Sequence, residues 1–299
     1  MKLYKTIDCQ QNAVRTVRYN VDGDYVLTGG SNKSVKLWNA TTFKQLKTYL
    51  GHGDDVLDVK SSCDNAQIVS CGLDKTIILW DVSTGNPQRK WRGHAGTVNC
   101  VALNEDSTIA ISGSIDATVK CWDMRSKSQE PVQNLSELKD SVTSIIVTDH
   151  EILIGCADGK VRMYDLRNGR LTTDLITYDG SAVSSISLTS DGQCYLVSTN
   201  KADDPLKLMD KENGSMLQEY SGIKNSKGYR LEASVGFESK EVLCGSDDGH
   251  ITIFDLVKGD KIKTLAVNES VVHSLTYHPS KQEFFCASKG AIYSYHYEE

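Results

Sequence analysis

The sequence has no uninterrupted apolar run longer than four residues, the length reached in IILW and FFCA, whereas a membrane-spanning helix needs about 20. It has no basic excess either: 33 Lys and Arg against 39 Asp and Glu give a net charge of −6. That balance argues against broad, charge-driven binding to nucleic acid, which needs clustered cations. Nine cysteines are present, an odd number with no CxxC pair, so neither a disulfide framework nor a zinc site has support. Most, such as Cys100 in VNCVAL and Cys121 in VKCW, sit in apolar runs and read as reduced core residues of an intracellular protein. The opening MKLYKTIDCQ lacks the apolar segment of a signal peptide, and the expected location is the cytoplasm, the nucleus or both. No stretch carries a helix period. Phosphate-cradling Gly-rich loops, HExxH, GxSxG and paired-carboxylate motifs are missing, so the reading is a non-enzyme with no cofactor and no metal.

What is present is repetition. The segment from Gly93-His94 to Trp122-Asp123 has a near copy from Gly51-His52 to Trp80-Asp81, with the same His-to-Trp spacing of 28 residues. Seven closing dipeptides align: Trp38-Asn39, Trp80-Asp81, Trp122-Asp123, Tyr164-Asp165, Met209-Asp210, Phe254-Asp255 and Tyr295-His296. Their spacings of 42, 42, 42, 45, 45 and 41 residues match the period of about 40–45 expected for four-stranded WD blades. Units also open on V-x-x-V, as in Val14/Val17, Val56/Val59 and Val98/Val101. Three residues apart on a strand means opposite faces. Both faces must therefore be buried, as in a blade between two neighbours and unlike a sheet with one wet side. Turn residues recur in register, in NVDGDY, NEDSTI and TSDGQC and again in SNKS, LDKT and ADGK.

The expected fold is all-β, one seven-bladed WD-repeat β-propeller spanning 1–299, with blades near 10–50, 51–92, 93–135, 136–178, 179–222, 223–267, and 268–299 plus 3–9. The last unit stops after a third strand, AIYSYHY, while Leu3 to Ile7 align with an outermost strand. The N-terminal strand is thus expected to complete the last blade and close the ring, since an open joint would expose a long pairing edge.

His52, Ser70, Asp74 and Trp80 recur at identical spacing as His94, Ser112, Asp116 and Trp122. One such set resembles a catalytic triad; two in one chain resemble the structural tetrad of WD repeats, in which Trp donates to Ser, Ser to His and His to Asp. Elsewhere the sets decay: Gln10, Thr28, Asn32 and Trp38 in unit one, Asp158 with Tyr164, Asp248 with Phe254, Met209, and Lys289 with Tyr295.

Candidate contact residues are of three kinds. Asp54, Asp55, Asp140, Asp179, Asp204, Asp247 and Glu269 make one rim acidic, with Lys33, Lys75 and Lys139 interspersed, and a basic peptide segment would be steered there; solvated loop charge is the alternative. STNKADDPLKLMD and SGIKNSKGYR read as contact loops or as tolerated surface variation. WDMR and YDLR place Arg125 and Arg167 at equivalent positions. They resemble the WDxR signature of propellers that act as substrate receptors of cullin–RING ubiquitin ligases, though the second copy departs at its first residue; a salt bridge at the blade rim is the alternative.

Longer phrases carry a closer likeness. AVRTVRYNVDGDYVLTGGSNKSVKLWN, YLGHGDDVLDV, RGHAGTVNCVALNE, SGSIDATVKCWD, VTDHEILIG, YDLRNGRL and VVHSLTYHP resemble the WD-repeat mitogen-activated protein kinase organizer family, whose members are also associated with spliceosomes. The resemblance is weakest at 199–240. It implies a monomeric scaffold with protein partners, MAP kinase (ERK) cascade members in the cytoplasm and spliceosomal proteins in the nucleus; the short apolar runs and the net charge argue against membrane and direct nucleic-acid contact.

Overall fold

The computed structural model describes residues 1–167, 170–176 and 180–297. Its strands form seven antiparallel sheets of four strands each. The innermost strands are Val14–Tyr19, Val56–Ser61, Val98–Leu103, Val142–Val147, Val183–Leu188, Ala233–Val235 and Val272–Tyr277. In six blades the chain then steps outward through the second, third and fourth strands before starting the next. Blade seven takes its outermost strand from the other end of the chain: Lys2–Asp8 pairs antiparallel with Ala291–His296, Lys2 opposite His296 and Asp8 opposite Ala291, with a one-residue register shift between Leu3 and Lys5.

The V-x-x-V pattern behaves as its spacing demands. Val14, Val17, Val56, Val59 and Val98 are fully buried. The apolar core is divided among the seven joints, one cluster to each. Between blades one and two, Leu27, Val35 and Tyr49 meet Val56, Ile68 and Trp80; between two and three, Trp91 meets Trp122 with ring centroids 5.7 Å apart. At the closing joint Ile7 and Ile292 pack with Val14, Val26, Trp38 and Phe285. The N-terminal strand therefore contributes core as well as backbone pairing. Tyr164, Met209, Phe254 and Tyr295, which stand at the Trp position of the other blades, all lie in such clusters.

Antiparallel sheets of this kind present two faces. One carries the reversals between first and second strands and between third and fourth; the other carries the second-to-third reversals and the segments entering each new blade.

Candidate functional site

In blade two the Trp80 indole N–H donates to Ser70 Oγ at 2.8 Å, and Ser70 Oγ lies 2.7 Å from His52 Nε2. His52 Nδ1 is 3.1 Å from both oxygens of Asp74. A carboxylate only accepts, so Nδ1 carries the proton and Nε2 accepts from serine. Blade three repeats this with 2.8 Å from Trp122 to Ser112, 2.8 Å from Ser112 to His94 and 3.0 Å from His94 to Asp116. Burial alone would raise the Asp74 carboxyl. Hydrogen bonds from His52, the Gly53 N–H and Thr76 outweigh it and hold the group well below the usual carboxylate range. Asp116 sits at about 2, burial again being outweighed, here by Thr118, His94 and the Ala95 N–H. Burial lowers His94 in spite of Asp116, which keeps the ring neutral.

The Gly of each Gly-His pair has a steric cause: a Cβ on Gly51 or Gly93 would come within 2.9 or 2.7 Å of the tetrad indole. Ser70 and Ser112 are fully buried beneath those indoles, so no substrate reaches either hydroxyl. Both tetrads are closed hydrogen-bond chains that lock the strands of a blade to its entering loop.

Blade one differs from the sequence alignment. The side chain that accepts from Thr28, at 2.5 Å, belongs to Gln11 rather than Gln10, and Trp38 donates to Thr28 at 2.9 Å. Gln10 takes a left-handed φ of 51° and is exposed, which rotates its successor inward. Gln11 then donates to the Ser34 carbonyl at 2.9 Å, and Ser34 Oγ to Asn32 at 2.7 Å. Blade four replaces histidine altogether: Arg162, 1% exposed, forks onto Asp158 at 3.0 and 2.6 Å.

Asp54, Asp55 and Asp140 lie on the loop-entry face. Asp54 and Asp140 are exposed, whereas Asp55 is tied to Arg15 at 3.1 Å. Asp204 holds the Gly222 N–H at 2.7 Å and Asp247 the Ser226 hydroxyl at 2.6 Å; Asp179 lies outside the described residues. Lys33 and Lys75 are braces, donating to the Gly53 and Ala95 carbonyls of the next blade's entry loop at 2.7 and 2.9 Å. Arg125 and Arg167 occupy the third-to-fourth reversals on the opposite face. Arg125 is exposed beside Asp64, Asp81 and Gln88, and Arg167, also exposed, pairs with Asp165 at 3.3 Å. The structure thus does not gather these acids and arginines into one site.

Sequence reasoning missed the channel. The third residue of most innermost strands is polar, and its side chain reaches a backbone N–H of the next blade. Ser274 accepts from Val17, Asp58 from Val101, Ser144 from Ile186 and Ser185 from Ala233; in blade six Glu232, the residue just before the inner strand, accepts from Leu275. Across the lumen Arg18 forks onto Glu232 at 2.7 and 2.8 Å, and reaches Asp58 at 3.0 Å and Ser274 at 2.9 Å. Burial would raise Glu232, but Arg18 holds it at about 2. Arg230 spans the lumen to the Ser184 and Asn99 carbonyls at 3.2 and 3.1 Å. Its loop, SGIKNSKGYR, is anchored by fully buried Asn225, which bonds the Tyr229 N–H and carbonyl at 2.8 and 2.9 Å. The available signal was the charge inside the first two V-x-x-V runs, VRTVRY and VLDVKS, at third and fifth positions where the runs VNCVAL, VTSIIV, VSSISL and VHSLTY carry no charge.

Comparison with known proteins places the chain among propellers. A family profile described as Nucleolar protein 10-like, N-terminal domain, matches residues 54–229, and the WD domain, G-beta repeat, matches residues 1–39. WD repeat domain-containing protein 83 of Rattus norvegicus is 55% identical over 97% of this chain and 90% of its own length. The Homo sapiens protein of that name is 53% identical over the same shares, and the Dictyostelium discoideum homolog 33% identical over 95% of this chain and 94% of its own.

Proposed function

Because the chain belongs to the WD repeat domain-containing protein 83 family, we propose that it is a non-catalytic scaffold whose two faces hold different proteins at once. The observation that carries this reading is the self-containment of the tetrads. The residues that look chemical are spent inside the blades, and the variable charge is displayed on the loops, where a rigid ring presents it without rearranging. In the cytoplasm the partners are members of the ERK kinase cascade; in the nucleus they are proteins of the spliceosome. Exposed Asp54 and Asp140 recruit basic segments on the loop-entry face. Contact is with protein rather than RNA, as the net charge of −6 favours.

Affinity purification from cytosolic and nuclear extracts, read by quantitative mass spectrometry, tests the proposal. Cascade kinases in the first and splicing factors in the second are the expected recoveries, both insensitive to Arg125→Ala plus Arg167→Ala. Recovery of a cullin adaptor alone, lost in that double variant, would establish a ubiquitin-ligase receptor instead.

A further inference from the structure

Inside the ring lies a cavity of about 670 Å³ that opens on the face carrying the first-to-second reversals, past Ser187, Gly236 and Pro279. Its volume falls in the range of small-molecule sites, roughly 300–1,000 Å³. Three cations, Arg18, Lys60 and Arg230, and three carboxylates, Asp58, Glu232 and Glu238, reach its wall. Asp58 and Glu232 are committed to Arg18 and Glu238 to Lys240, and Arg230 donates to the Ser184 and Asn99 carbonyls. Lys60 forms no hydrogen bond or ion pair among the described residues, and Arg18 Nε is buried without a partner. Burial pushes the Lys60 ammonium below the ordinary lysine value, with Arg18 adding to the effect and Asp58 and Glu232 opposing it. An ammonium with no protein partner, half-buried on the wall of such a cavity, is free to meet an anion there.

We propose that this cavity binds the oxyanion head of a small ligand, a phosphate or carboxylate, with Lys60 as its direct charged contact and the hydroxyls of Ser144 and Ser185 as neighbouring donors. Lys60, the wall cation with no hydrogen bond or ion pair among the described residues, suits a single anionic group. A polyacidic protein segment would instead meet the repulsion of a chain whose net charge is −6, so a small molecule is the occupant the charges favour. The site stands apart from the scaffold reading, which needs no ligand in the channel.

Thermal denaturation with inorganic phosphate or acetate raised at constant ionic strength is the test, since a ligand bound only by the native state stabilises it with saturation. A saturable rise in melting temperature is expected, and the tighter of the two anions assigns the head group. Lys60→Met should melt no lower than the native chain in chloride and bind at least about tenfold more weakly, the equivalent of one charge-assisted hydrogen bond; Lys60→Arg should retain the response. Equilibrium dialysis of labelled phosphate against the native chain gives the same answer without a variant, as a single saturable class of sites. A rise that never saturates and is equal in Lys60→Met, or the absence of binding for both anions, would overturn the proposal.

Discussion

Removing one hydroxyl at two fully buried serines should have opposite consequences in this ring. Ser70 and Ser198 are both inaccessible to solvent, so replacing either with Ala deletes the same atom from the interior. Ser70 Oγ is the hub between the Trp80 N–H and His52 Nε2; Ser198 Oγ has no hydrogen-bond partner. Ser70→Ala leaves two polar groups unsatisfied, each costing about 1–3 kcal/mol, and a total near 3 kcal/mol is expected. Ser198→Ala removes a hydroxyl already desolvated for nothing, so its effect should lie between zero and a gain of about 1 kcal/mol. With unfolding entropy near 2.1 cal/mol/K per residue, a chain of this length shifts about 1.6 °C per kcal/mol. Calorimetry should therefore show Ser70→Ala melting about 5 °C lower and Ser198→Ala unchanged or higher. Adding Trp80→Phe to Ser70→Ala should cost less than the two single losses together, because the orphaned donor goes with the indole. Equal losses for the two serines would mean that lost packing, and not the hydrogen-bond chain, sets the penalty.

Further outcomes follow from the channel, the thiols and the closing strand. Arg18→Met strands the buried Glu232 carboxylate and should cost about 3–5 kcal/mol, with much of the loss recovered in Arg18→Met/Glu232→Leu; urea denaturation reads both. Glu232 has a folded-state value of about 2, below the unfolded glutamate value of about 4.3. Its contribution is thus complete above the unfolded value and is lost as pH falls through the folded one, and Glu232→Gln should flatten the fall in melting temperature across that acid window. Cys63 is the exposed thiol, Cys194 is half-buried and the other seven are buried. A thiol reagent should modify the native chain fastest at Cys63, and Cys63→Ser should abolish the fast phase. Deleting residues 1–9 should produce aggregates in sedimentation velocity, because the edge Ala291–His296 is laid bare; an unchanged monomer would count against it.

The period and the closing dipeptides were legible because a blade is a local unit whose register repeats. Closure was legible too, since a seventh unit lacking a strand and a first unit preceded by a spare one leave a single economical pairing. Tetrads two and three could be read directly, as all four side chains occupy fixed offsets. Blade one misled because the left-handed turn at Gln10 shifts the inward position by one residue, a backbone choice that offset counting does not register. The lumen was harder still: Arg18 and Glu232 lie 214 residues apart, and only the closed ring brings them together. Lys33 and Lys75 looked like surface charge because a brace to the next blade depends on how neighbouring blades are set, not on either blade's own sequence.

Amide hydrogen exchange of the terminal strands probes ring closure most directly. If Lys2–Asp8 is the outer strand of blade seven, its amides should be protected together with those of Ala291–His296 and lose that protection in one cooperative event. Exchange of the first eight residues at the rate of a free peptide, with Ala291–His296 still protected, would contradict closure by the N-terminal strand.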